Sequence, residues 1–132
     1  ITAQTATEER GSLAVCLDTI LSFEGIVRNS QDLLGRGKSA IQILEENLEG
    51  QAQVLDLGGC SLDAMLYFLN RDIPVMAMLK DGEAVLLTGF NEFNVVIMEP
   101  STGRLYKKGM NDTRAWMEEN GNPFITYIIT QE

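Results

Sequence analysis

Apolar residues recur with a helical period between Glu8 and Phe23, where Leu13, Val15, Cys16, Leu17, Ile20, Leu21 and Phe23 fall largely on one stripe. Thr7 stands before that stripe as a candidate N-cap with acids following it, and Gly25 closes it, so the spacing predicts a long buried helix over 8–23. A short helical turn is expected over 29–34, capped by Asn29 or Ser30 and closed by Gly35 and Gly37. Lys38 to Leu48 repeats the helical pattern through Ile41, Leu44 and Leu48 and stops at Gly50. Val54-Leu55-Asp56-Leu57 is a short apolar segment ended by Gly58-Gly59, after which Ser61 caps a helix carrying Leu62, Met65, Leu66 and Leu69.

The pattern then changes. Pro74 to Leu79, Glu83 to Phe90, Asn94 to Glu99 and Gly103 to Lys108 read as strands. Asp81-Gly82, Asn91-Glu92 and Pro100-Ser101-Thr102-Gly103 separate them, all turn formers, and such short connections join antiparallel neighbours. Asn111 or Asp112 begins a last helix with Trp116 and Met117, Gly121 stops it, and Phe124 to Ile129 is a closing β-branched strand. Helices first, then a mostly antiparallel sheet with one late helix, is the α+β arrangement, and 132 residues without a linker or repeat fit one domain.

Composition narrows the chemistry. The chain carries a formal charge of −9, and Lys107-Lys108 is too small a cluster to hold a nucleic-acid backbone against it. No apolar run reaches the roughly 18 residues of a membrane span. Ile1 is no initiator methionine and no signal-peptide pattern follows it, so the sequence reads as an excised piece or a mature form. Cys16 and Cys60 lie apart without the spacing of a zinc or redox motif, and Asp56, Asp63 and Asp81 do not form a calcium loop; neither metal nor cofactor is expected. The chain contains no histidine, which removes the usual general base of a hydrolase.

Arg71-Asp72-Ile73-Pro74-Val75-Met76-Ala77-Met78-Leu79, then Glu83-Ala84-Val85-Leu86-Leu87-Thr88-Gly89-Phe90, then Val95-Val96-Ile97-Met98-Glu99-Pro100, form the informative stretch. It resembles the sheet half of the bacteriocin-processing peptidases, family thirty-nine of the cysteine peptidases, which have a papain-like fold. That family's "G-x-P-V-I", "H-x-V-V-V-x-G-Y" and "D-P" strands place its histidine position at Glu83 and its aspartate position at Glu99. Gly11-Ser12-Leu13-Ala14 looks like the end of its "C-G-P-x-S-L-A", which puts the nucleophile position at or near Glu8, with Glu9 and Arg10 in place of the following glycine and proline. The resemblance therefore implies a papain-like α+β fold whose three triad positions, Glu8, Glu83 and Glu99, all depart from the family pattern.

A thiolate, an imidazole and an orienting carboxylate are what such acyl transfer uses, so the expectation is a catalytically degenerate, non-enzymatic module. It would hold a peptide or a neighbouring domain in a groove between the 8–23 helix and the strands from Pro74, and the resemblance implies an extracytoplasmic, bacterial setting. Two rival readings stand beside it: an atypical hydrolase working through Cys60 or converging glutamates, and a structural spacer. Cys16, on the apolar stripe, is read as core. Cys60 in Gly58-Gly59-Cys60-Ser61 is the better candidate for a reactive thiol, because it stands at a helix start. Most of the six methionines are assigned to core packing, and Trp116 to anchoring the last helix on the sheet.

Overall fold

In the computed structural model, which describes residues 11–130, the helices are α1 (Ser12–Phe23), α2 (Ser30–Gly35), α3 (Ala40–Asn47), α4 (Leu62–Leu69) and α5 (Met110–Glu119). The strands are β1 (Ala52–Asp56), β2 (Val75–Met78), β3 (Ala84–Phe90), β4 (Asn94–Glu99), β5 (Arg104–Gly109) and β6 (Phe124–Ile129). Local chemistry sets most boundaries. Ser61 Oγ accepts the Ala64 N–H at 3.2 Å at the start of α4, and Ser39 and Gln42 form a reciprocal capping box on α3. Gly50 and Gly121, with φ of 82° and 79°, follow α3 and α5 in the left-handed conformation that glycine adopts without strain.

Two starts differ from the sequence reading. Gly11 is extended (φ −74°, ψ 164°), so α1 begins at Ser12, while the expected cap Thr7 lies outside the described residues. α5 begins at Met110, ahead of Asn111 and Asp112. Gly109 is its N-cap residue and makes no side-chain cap, and the Gly109 carbonyl accepts the Thr113 hydroxyl at 2.9 Å.

All strand pairings are antiparallel, in the order β1–β6–β2–β3–β4–β5. Successive side chains of a strand point to opposite faces, and in β2, β3 and β6 both faces are covered. Met76, Ala84, Leu86, Met98, Ile125 and Tyr127 pack under α1 and α3. Val75, Ala77, Val85, Leu87, Ile97 and Phe124 pack under α4 and α5. The expected α+β class is therefore what the chain adopts, but the helices do not form one layer: α4 crosses to the face opposite α1, where Arg114 of α5 meets Asp63 of α4 at 2.8 Å.

The first layer depends on a buried carboxylate. Asp18, in the middle of α1, is 5% exposed, and its Oδ1 accepts the Ser30 N–H at 2.9 Å, fixing the start of α2 against α1. Removing that acceptor strands a buried donor, a loss of about 1–3 kcal/mol. Asp18→Ala should lower the urea unfolding midpoint accordingly at an unchanged slope; a midpoint equal to that of the parent protein would show that the contact carries no stability.

Candidate functional site

The registers gather one set of strand ends. Met78 pairs with Ala84, Met76 and Asp56 both pair with Ile125, Leu86 pairs with Met98, and Glu99 pairs with Arg104. The ends of β1, β2 and β4 and the beginnings of β3, β5 and β6 thus lie along one end of the sheet. α1 starts at this same end. Ser12 Oγ accepts the Ala84 N–H at 2.8 Å across 72 residues of sequence, a buried bond that holds the first turn of α1 on the first residue of β3.

Beside that bond runs an open groove of about 370 Å³, lined by Ile41, Asp56, Gly58, Met78, Gly121, Pro123 and Ile125. Its walls are loops locked by backbone bonds. Leu57 donates to the Phe124 carbonyl (2.9 Å), Gly59 to Asn122 (2.9 Å) and Met78 to Pro123 (3.1 Å). The Asp56 carboxylate accepts the Gly58 N–H at 3.1 Å, which shapes the turn and leaves an acidic rim on an otherwise mainly apolar floor. Met78, assigned with the core methionines from sequence, is instead 38% exposed, whereas Met65, Met76, Met98 and Met117 are buried.

Of the three triad positions, Glu8 lies outside the described residues. Glu83 is exposed immediately before β3; its N–H donates to Asp81 Oδ1 at 2.9 Å and its carbonyl accepts the Leu79 N–H at 2.8 Å. Glu99, half-buried at the end of β4, has its Oε1 engaged by the N–H (3.2 Å) and hydroxyl (2.7 Å) of Ser101. The two carboxylates thus share the α1 end of the sheet, but no hydrogen bond joins them. Glu99 lines a second pocket, of about 340 Å³, with Ser101, Thr102, Arg104 and Tyr106.

The cysteines separate by environment. Cys16 is fully buried, and burial, with a smaller contribution from the Glu99 carboxylate, pushes its thiol up to about 12. It is a core residue, as its place on the apolar stripe indicates. Cys60 is exposed, directly before the Ser61 cap of α4 and two residues beyond the groove-lining Gly58. Among the described residues no three His, Cys, Asp or Glu side chains gather as metal ligands, and no helix is long and apolar enough to cross a membrane. Ser12 and Met78 are the site residues that residue-type reasoning passed over; the only sequence signal for Ser12 is its place in Gly11-Ser12-Leu13-Ala14.

The chain is similar in structure to a candidate C39-like peptidase from Bacillus anthracis, with 14% identity over 98% of this chain and 96% of that one and a TM-score of 0.78. It is also similar to a double-glycine-motif protease of an AMS/PCAT transporter, solved in complex with the leader peptide. There the identity is 16% over 98% of this chain and 91% of that one, with a TM-score of 0.62. No protein-family model and no curated protein matches the chain.

The fold is that of the C39-like peptidases, in keeping with the papain-like resemblance. The expectation of a non-enzymatic, degenerate module is corrected by the same finding: the similar structures are described as peptidases, and nothing in the described geometry marks this chain as inactive. Lack of histidine restricts which side chain could move a proton; extending it to exclude catalysis goes beyond what residue type can decide.

Burial makes the two thiols experimentally distinct. With the folded protein at neutral pH, an electrophilic thiol probe should label Cys60 alone, Cys60→Ala should remove almost all labelling, and Cys16 should react only on unfolding. Persistent fast labelling of native Cys60→Ala would contradict this placement. The raised Cys16 thiol also has a stability consequence. The unfolded chain ionises it from about pH 9 and the folded chain only near 12, so the unfolded state binds fewer protons in between. This contribution is fully present below about pH 9 and is lost as pH rises toward 12, and Tyr127, whose hydroxyl is raised from about 10 by burial and by Glu24, adds in the same direction. The urea midpoint should fall progressively above about pH 9, with Cys16→Ala flattening the first part of the decline; a midpoint constant from pH 8 to about 11 would exclude it.

Proposed function

We propose that this chain holds an extended peptide in the groove at the α1 end of its sheet, as the peptide-binding part of a peptidase-type fold. The observation that carries this reading is the open groove of about 370 Å³ beside the Ser12–Ala84 bond, with Met78 left exposed in it. Small-ligand sites have volumes of about 300–1,000 Å³ with an apolar lining and few polar groups, which suits one or two side chains of a bound segment. Ile41, Met78, Pro123 and Ile125 would take an apolar side chain, and Asp56 at the rim would favour a basic neighbour. The leader peptide bound to one of the similar structures supports peptide as the ligand class. An extracytoplasmic bacterial setting remains the setting proposed for it, on the resemblance alone.

Cleavage of the held peptide is the second reading. It is favoured by the exposed Cys60 thiol on the turn that also supplies Gly58 to the groove.

Fluorescence anisotropy with labelled peptides carrying an apolar residue beside an arginine tests the first reading. Met78→Asp, a change at a partly exposed position, should leave the far-ultraviolet dichroism intact and weaken binding at least about tenfold, equivalent to about 1.4 kcal/mol. Absence of binding, or binding indifferent to Met78→Asp, would refute the groove. Mass spectrometry of the incubated peptides reads cleavage, and only a product lost in Cys60→Ala supports the second reading.

A further inference from the structure

We propose that the free edge of β5 is a docking strand for an extended acidic segment of a partner protein, a surface separate from the groove. Among the described residues β5 ends the sheet and pairs only with β4. Arg104, Leu105, Tyr106 and Lys107 are all exposed, Leu105 by 60% and Tyr106 by 39%.

Charge selects the occupant. The chain has 10 lysines and arginines against 19 acids, yet the six residues of β5 hold Arg104, Lys107 and Lys108 and no acid. Lys108 is occupied over the Trp116 ring, 5.2 Å from its centroid, and Glu99, the residue paired with Arg104, is engaged by Ser101. Neither Arg104 nor Lys107 forms an ion pair among the described residues. A second copy of the strand would set these cations against one another, and basic side chains on a sheet edge are a known deterrent to such self-pairing. An acidic strand meets the opposite condition.

Backbone geometry selects an extended partner. Met110 donates to the Phe93 carbonyl at 2.7 Å, one step beyond the Asn94–Gly109 pair. Antiparallel bonding alternates along a strand, so counting back in twos turns the N–H and C=O of Leu105 and Lys107 outward, away from β4. Leu105 and Lys107 share one face of the strand, Arg104 and Tyr106 the other. Each face therefore offers one apolar side chain and one cation, and the complementary strand reads acid–apolar–apolar–acid opposite Arg104 to Lys107.

Isothermal titration with a peptide of about ten residues centred on Glu-Val-Val-Glu, against a Lys-Val-Val-Lys control, tests the proposal. The acidic peptide alone should bind, more weakly at high salt. The Arg104→Glu, Lys107→Glu double variant, changed only at exposed positions, should lose affinity at least about tenfold and gain affinity for the control. Leu105→Pro, which deletes an outward N–H and leaves the cations, should also abolish binding, whereas Met78→Asp in the groove should not alter it. No binding, equal binding of both peptides, indifference to Leu105→Pro, or self-association of the free protein that blocks the peptide would each overturn the proposal.

Discussion

Strands β2, β3 and β6 bury apolar side chains on both faces, and nearly everything else about the molecule's shape follows from having to cover a sheet twice. α1 and α3 close one face and α4 and α5 the other, which leaves the strand ends as the places where loops, polar groups and grooves can collect. The Ser12–Ala84 hydrogen bond then fixes which end matters, because it brings the beginning of α1 to the beginning of β3. With a buried donor and a buried acceptor, that contact resists shear between helix and sheet more than packing alone would.

Much of this was legible wherever the determining chemistry is local. Ser61 caps α4 through its own hydroxyl, Asp81-Gly82 turns the chain between β2 and β3, and Cys16 sits in a helical stripe that permits only burial. The face chosen by α4 was not legible, because Val75-Met76-Ala77-Met78 is apolar at every position and carries no period-2 signal to distinguish its sides. Met78 misleads for the same reason: residue type says core, but as the last residue of β2 it lines the open groove and stays 38% exposed. Ser12 could not be read as a sheet-binding acceptor, since its partner is 72 residues away.

Histidine content is a global count, and it was informative about which acid–base pairs are unavailable, but a fold is recognised from the geometry of elements. Here the geometry is that of C39-like peptidases while sequence identity to the similar structures stays at 14–16%. At such distance helix and strand placement persists through volume-conserving exchange in the core, and individual polar residues need not. Glu83 and Glu99 illustrate the point: the fold carries both positions to the α1 end of the sheet, where the Glu83 backbone N–H is held by the Asp81 carboxylate and the Glu99 side chain is held by Ser101.

The strand order has a kinetic meaning as well. β6 lies between β1 and β2, although it follows β1 by about seventy residues of chain. Until it inserts, β1 has no partner at all and β2 presents a bare edge, so the sheet cannot close outward from its earliest segment. The β2–β3–β4 meander pairs sequentially adjacent strands, whereas β1, with α3 packed against it, gains its strand partner only when the late strand arrives. The wall of the Met78 groove, made of β1 and β6 ends, is by this logic among the last parts of the protein to take shape.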